Sequence, residues 1–157
     1  MNWRTQGISL VEVIVGISIL AAIAVTVGIS VTTYVDARGN LLTDAKATYL
    51  AEEGYEILRA IRDEDWGDIS SETTGTTRYL SVTPTTLSIT GTAEVIDSQY
   101  TRSFEIQSLY RNGSDDVVAS GAPGATLDPD SRIVEISVVG PNGTVTLSSI
   151  LSNVHNI

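Results

Sequence analysis

A single acidic side chain, Glu12, interrupts an otherwise uncharged and mostly apolar run from Gly7 to Val35. A carboxylate at the centre of a membrane span costs roughly 2.5 to 3.5 kcal/mol, so Glu12 calls for a cationic partner. Cleavage of the chain after Gly7 would create a new α-amine on Ile8, and Glu12 lies four residues further on, about one helical turn away. Glu12 can then pair with the amine of its own chain or with the amine of a neighbouring copy.

A second set of carboxylates lies in the stretch from Asn112 to Ser131, which we predict to be an irregular linker. Oxygen-rich side chains of this kind are candidate ligands for calcium, which takes about six to eight oxygens. Their spacing fits no EF-hand loop, and a solvated acidic loop is the alternative interpretation. The candidate ligands are Asp115, Asp116, Asp128 and Asp130.

The chain has no recognisable catalytic motif. It contains no G-x-S-x-G elbow, no Walker A loop, no HExxH helix and no dinucleotide fingerprint. Glu52, Glu53 and Glu56 are close in sequence, but their positions indicate the solvated face of a helix rather than a catalytic pocket. His155 has no second histidine or cysteine beside it. We therefore predict a protein that is not an enzyme and needs no cofactor.

The run from Gly7 to Val35 is long enough to cross a bilayer core of about 30 Å as a helix. Arg4 and the chain's α-amine precede it, so the positive-inside bias places the N-terminus in the cytoplasm. In a secretory signal peptide, the small-residue cleavage site follows a shorter apolar region. Here Gly7 comes first, so cleavage at this point removes a leader of residues 1–7 and leaves a helix of residues 8–35 on the mature chain.

The motif GISLVE, from Gly7 to Glu12, resembles the class III signal of type IV pilins and pseudopilins, and the basic leader and apolar helix around it agree. The resemblance covers Arg4 to about Val35. It implies that a prepilin peptidase cuts between Gly7 and Ile8 and methylates the new N-terminus. It also implies that Glu12 has the assembly role, and that the protein is a structural subunit of a type IV pilus or related filament.

The same resemblance implies a set of partners. These are other copies of the chain in a helical filament, minor pilins, the prepilin peptidase, and a membrane assembly platform with a separate motor ATPase. The chain is then first a single-pass protein of the cytoplasmic membrane with its C-terminus outside, and later part of an extracellular filament. The motif does not distinguish a major pilin from a minor pilin or a pseudopilin, nor adhesion from motility, DNA uptake or secretion.

Three features depart from the common pilin pattern. The first mature residue is Ile8 rather than phenylalanine, the helix has no proline, and the C-terminal cysteine pair is missing. A different class of protein therefore stays open as an alternative. It is a signal-anchored, monomeric extracellular binding module that recognises its ligand through the Asn112 to Ser131 loop, with Glu12 reaching the membrane interface.

Residues 36–157 predict a pilin-like α+β domain, in which an amphipathic helix of residues 36–66 packs on an antiparallel sheet within residues 77–151. Gly39 and Asn40 are the weak point of this helix. An apolar stripe at helical spacing faces the sheet. It comprises Ala47, Leu50, Gly54, Ile57, Leu58 and Ile61. Acidic residues around Trp66 and Gly67 favour termination of the helix there. We predict that Trp66 packs in the core and that a loop runs from Asp68 to Thr77.

Alternation and β-branched residues predict five strands. These are Arg78 to Thr83, Thr86 to Thr90, Thr101 to Arg111, Arg132 to Val139, and Thr144 to Leu151. In the fourth strand Val134, Ile136 and Val138 alternate with more exposed positions, which is typical of a sheet with one buried face. The sequence GPNG, from Gly140 to Gly143, predicts a tight hairpin between the last two strands.

The composition excludes some partners. The chain of 157 residues has a formal net charge of -10 and a single lysine, Lys46, so we expect no direct binding to nucleic acid. It has no cysteine, which rules out disulfides and thiolate metal sites. An extracellular domain of this sequence must therefore be stable without covalent cross-links.

Overall fold

The computed structural model describes residues 9–154 and has the predicted α+β architecture. Helix α1 is Leu10–Glu64 and helix α2 is Trp66–Ser70. The strands are β1 (Tyr79–Val82), β2 (Leu87–Thr90), β3 (Glu94–Ile96), β4 (Tyr100–Arg111), β5 (Val117–Val118), β6 (Thr126–Gly140) and β7 (Gly143–Ser152). The chain divides into two compact units between Leu41 and Leu42.

Every strand pairing in the described chain is antiparallel. Strands β3, β4, β6 and β7 lie side by side in that order, and β5 also pairs with β4 to complete a five-stranded sheet. Strands β1 and β2 form a separate hairpin. The backbone of Arg78 exchanges hydrogen bonds with Phe104, which joins the start of this hairpin to β4.

The part of α1 that belongs to the second unit packs its apolar stripe on the sheet. All six residues of the predicted stripe are buried, and Ala51 is buried with them. They meet inward-facing residues of β4, β6 and β7, including Phe104, Ile136 and Leu151, which are at most 1% exposed. Glu52, Glu56 and Arg59 lie on the exposed side, so the predicted amphipathic helix is confirmed.

Helix α1 is continuous through Gly39 and Asn40, the predicted weak point, and it ends at Glu64. Asp65 leaves the helical conformation, with φ −152° and ψ 115°, and its carboxylate accepts a hydrogen bond from the Gly67 amide at 2.7 Å. Asp65 is therefore the N-cap of α2. The predicted loop from Asp68 to Thr77 was wrong for its first three residues, because α2 extends to Ser70 and anchors itself through the fully buried Ile69.

The five predicted strands are present, and their ends differ from the prediction by at most one residue, except at the start of β6. The GPNG hairpin is also confirmed, because Gly140 pairs with Gly143 and only two residues lie between them. Gly143 has φ +137°, a value that side chains disfavour, which explains the glycine at this position. Strands β3 and β5 were not predicted, since they have three and two residues and are too short to show a periodic pattern.

Strand β6 is longer than predicted. It begins at Thr126 instead of Arg132 and so occupies part of the stretch that was predicted to be irregular. Its register against β4 shifts between two pairs, Ser108 with Arg132 and Leu109 with Asp128. The three residues between Asp128 and Arg132 form a bulge that includes Pro129. A bulge is one of the few places in a sheet that accept proline, which is why the strand was not evident from the sequence.

Candidate assembly site

The first unit contributes the apolar part of α1, which is the main candidate functional surface. From Leu10 to Val35 every residue except Gly16 is exposed, including large side chains such as Leu20, which is 67% exposed. This helix is long and apolar enough to cross a membrane. So much exposed apolar surface is stable only against lipid or against other apolar protein surfaces.

Glu12 lies in the first turn of α1 and is exposed. The N-terminal end of a helix carries a partial positive charge, so a carboxylate is favourable in this turn. Gly7 and Ile8, the two residues on either side of the predicted cut, lie outside the described residues. Glu12 is also the one charged residue between Leu10 and Val35, so this surface offers one ionic contact in a long apolar stretch.

The five serine and threonine side chains between Leu10 and Val35 all bond to the helix itself. Ser18, Thr26 and Ser30 each donate to the carbonyl oxygen four residues earlier, at 2.8 Å. Thr32 and Thr33 both donate to the Ile29 carbonyl at 2.9 Å. Hydroxyls satisfied in this way do not need water, so they are compatible with an apolar environment.

Gly16 and Gly28 leave small gaps in the apolar surface. A Cβ atom built on either residue would meet no heavy atom within 4 Å. The helix itself therefore does not require glycine at these positions. Small residues on a membrane helix let a second helix approach closely, and both positions are open to such a neighbour.

In the second unit, Arg102 on β4 forms a charge cluster that we did not predict. It is 2% exposed, and its guanidinium donates two hydrogen bonds of 2.8 Å to the Glu94 carboxylate on β3. It also donates to the Leu50 carbonyl of α1 at 3.0 Å and to Glu53 at 3.3 Å. One buried arginine thus joins β3, β4 and α1.

Burial lowers the pKa of the Arg102 guanidinium, but the hydrogen bonds and charges of Glu94 and Glu53 raise it by more. The net shift in pKa is upward, so Arg102 stays charged. The sequence does hold one signal for this residue. Arg102 alternates with Tyr100, Phe104 and Ile106 on β4, and this places it on the buried face.

The four aspartates proposed as calcium ligands have other partners. Arg111 donates to Asp128 at 2.8 Å and lies 3.6 Å from Asp115. Asp116 accepts a hydrogen bond from Asn112, and Asp130 accepts one from Asn153. No three His, Cys, Asp or Glu side chains come together as a metal site anywhere in residues 9–154. The aspartates instead contact Arg111, Asn112 and Asn153.

The hydrogen bond from Arg111 lowers the pKa of the Asp128 carboxyl, and bonds from Ser131 and the Asp130 amide lower it further. Asn112 organises the same loop, since its side-chain oxygen accepts from the amides of Ser114 and Asp116. The contacts of Asp128 and Asn112 are therefore structural.

The other residues that the sequence singled out make contacts that support the fold, where the structure describes them. Glu56 pairs with Arg59 at 2.9 Å on the exposed face of α1, and Glu53 reaches Arg102. Trp66 is partly buried against the core, as predicted, and lies 5.9 Å from the Arg132 guanidinium. His155 lies outside the described residues.

Comparison with protein-family models, with curated proteins and with solved structures gives no match for this chain. The surfaces described above are therefore the basis for a function. The most extensive of them is the exposed apolar helix with Glu12 in its first turn.

Proposed function

We propose that this protein is a pilin-like structural subunit, which is stored in the cytoplasmic membrane and then assembled into a filament through its N-terminal helix. One observation carries the proposal: the helix surface from Leu10 to Val35 is exposed and mostly apolar, with Glu12 as the single charge. A surface of this kind matches a lipid bilayer first and the same surface on neighbouring copies afterwards.

The order of Gly7, Ile8 and Glu12 supports a processing step. Removal of residues 1–7 takes away the charged leader, which is the part of the N-terminus least compatible with an apolar fibre core. The new α-amine on Ile8 is a cation at about the depth of Glu12. In a filament of identical chains, Glu12 of one copy neutralises the amine of another and so sets the axial register between them.

The apolar surface would supply the free energy of assembly. Each square ångström of apolar surface removed from water contributes about 25 cal/mol, although the gain relative to lipid is smaller because lipid is itself apolar. Extraction from the membrane therefore needs external work. The chain contains no Walker A motif, so the proposal assigns this work to a separate motor ATPase and its membrane platform.

Mass spectrometry of the mature chain tests the processing step. We expect the surface-exposed protein to begin at Ile8, with a methyl group on its α-amine. Surface-exposed protein that retains Met1 and the leader would contradict the proposal and support the anchored, monomeric binding module.

Substitution of Glu12→Ala tests the charge pairing. The variant should still insert and be cleaved, because the apolar helix and Gly7 are intact, but it should be absent from sheared filaments. Asp36→Ala is the matched control, since it removes an exposed carboxylate from the same helix beyond the apolar run. Normal filament yield from Glu12→Ala would contradict the assembly role of Glu12.

A further inference from the structure

Strand β7 is an open edge of the sheet. Among the described strands it pairs with β6 alone. The close pairing of Gly140 with Gly143 fixes the alternation, so that the N–H and C=O groups of Thr144, Thr146 and Ser148 point away from β6. The Tyr55 hydroxyl donates to the Ile150 carbonyl at 3.1 Å, which agrees with this alternation and covers one end of the edge.

This edge lacks the usual protection against pairing with another chain. Protein edge strands are commonly blocked by lysine, by proline or by a bulge. Strand β7 has ten residues, no proline, no charged residue and an unbroken register against β6. Its middle part, from Thr144 to Ser148, therefore offers main-chain donors and acceptors in a regular row.

An acidic and aromatic groove of about 470 Å³ lies beside this strand, on the side of α1. It is lined by Tyr49, Glu52, Glu53, Tyr55, Glu56 and Leu147. Glu53 and Glu56 already have arginine partners, whereas the exposed Glu52 makes no ion pair or hydrogen bond with the described residues. Tyr49 is 67% exposed. Carboxylates next to an open aromatic ring are suited to an ammonium or guanidinium group.

We propose that β7 and this groove bind an extended basic segment of a partner protein, which adds to the sheet as a further strand. Side chains alternate along a strand, so lysine or arginine at every second position would face Glu52 and the groove. A second copy of β7 does not fit this role, because it carries no charge and belongs to a chain of net charge -10. The proposal does not depend on filament assembly.

The test uses the full-length chain in a neutral detergent and two capped peptides of about eight residues. One peptide alternates lysine with threonine, and the other alternates glutamate with threonine. We expect the lysine peptide to bind with an affinity that falls as salt is added, and the glutamate peptide not to bind. Failure of the lysine peptide to bind at low salt would overturn the proposal.

Thr146→Pro tests strand addition. The Thr146 N–H points away from β6. Proline at this position therefore removes a hydrogen-bond donor from the open edge, while the hydrogen bonds between β6 and β7 are kept. We expect affinity for the lysine peptide to fall about tenfold or more. Thr146→Val, which keeps the N–H, should bind normally. A lysine peptide with N-methylated backbone amides gives the same information without altering the protein, and it should also bind about tenfold more weakly.

Glu52→Gln tests the charge of the groove. It should weaken binding of the lysine peptide, whereas Glu64→Gln, the same change at an exposed site outside the groove, should not. Equal effects of the two substitutions would overturn the groove assignment. Strand addition would be overturned by a different pattern. In that pattern Glu52→Gln loses binding of the lysine peptide, whereas Thr146→Pro binds it normally and the N-methylated peptide binds the unmodified chain normally.

Discussion

Gly54 illustrates how one missing side chain positions a buried charge. A Cβ atom on this residue would lie 2.9 Å from Cδ of Arg102 and 3.5 Å from the Ile136 side chain. The Arg102 chain has little freedom to move aside, because its guanidinium is held by the Glu94 carboxylate. The absence of a side chain at Gly54 is thus what lets Arg102 lie between β4 and α1.

We predict that Gly54→Ala destabilises the second unit. Alanine improves helix propensity by about 1 kcal/mol, but overpacking a tight site costs about 1 to 3 kcal/mol. We expect a net loss of about 1 kcal/mol in the free energy of unfolding, measured by urea denaturation in detergent with circular dichroism of the sheet.

Gly39→Ala is the matched control for this substitution. A Cβ atom on Gly39 meets no heavy atom within 4 Å, so the same change should cause no loss of stability there. An increase in stability for Gly54→Ala would show that Arg102 moves aside at little cost, and would contradict the argument.

Single residues differ in how far the sequence reveals them. Glu12 is conspicuous in the sequence, because a charge stands out in an apolar run, and its assembly role stays a prediction. Arg102 was not recognised, because one arginine in a polar-looking strand resembles a surface residue, although its alternation with Phe104 and Ile106 placed it on the inner face. Its partner Glu94 lies on a strand of three residues that has no sequence signal of its own.

At the scale of secondary-structure elements, the bulge between β4 and β6 is held by an ion pair. Asp128 pairs with Leu109 in the sheet, and its carboxylate accepts a hydrogen bond from the side chain of Arg111 on the same strand as Leu109. The bulge residues follow Asp128 directly. The ion pair therefore fixes the register against β4 of residues Thr126 to Asp128, the part of β6 that precedes the bulge.

We predict that this contact makes the domain acid-sensitive. The pKa of Asp128 is lowered from its ordinary value of 3.8, chiefly by Arg111, so the ionised carboxylate stabilises the fold above that value. The stabilisation should be lost as the pH falls below 3.8, through the lower pKa of the folded state. The measurement is the urea midpoint of unfolding as a function of pH.

Asp128→Asn should be less stable than the unmodified chain near neutral pH and should lose less stability on acidification. Glu52→Gln is the control, because Glu52 is exposed and makes no ion pair or hydrogen bond with the described residues. A parallel decline of the Asp128→Asn protein and the unmodified chain with falling pH would contradict the role of this carboxylate.

The long, periodic elements and the short strands β1 and β2 were predictable from the sequence, whereas α2, β3, β5 and the interrupted start of β6 were not. The apolar stripe of α1 and the alternation of Val134, Ile136 and Val138 report burial directly, since each pattern follows the geometry of its element. The first part of β6 contains Pro129 and a bulge, which break the alternation. The partners of its aspartates depend on contacts that only the folded chain defines.

At the scale of the whole molecule, the protein combines an exposed apolar helix with a domain that has its own core. The core is formed by residues from Ala47 to Leu151 and does not include the apolar run. We predict that the full-length chain associates into large particles when detergent is removed, because the side chains from Leu10 to Val35 are exposed to water. Sedimentation velocity with and without detergent measures this.

The double substitution Ile17→Glu and Ile23→Glu should reduce the particle size in detergent-free buffer, while circular dichroism of the sheet stays the same. The matched control is Val82→Glu with Val95→Glu, which adds equal charge at exposed positions of the second unit. Dispersed single chains of the unmodified protein without detergent would contradict the prediction.

The hydroxyl groups of the apolar helix have one more consequence. Ser18, Thr26 and Ser30 already give their protons to carbonyl oxygens of their own helix. When such a helix exchanges one apolar neighbour for another, these protons need no new acceptor and none of these bonds has to break. The activation barrier to the exchange then comes from separating packed surfaces, and the hydroxyls add little to it.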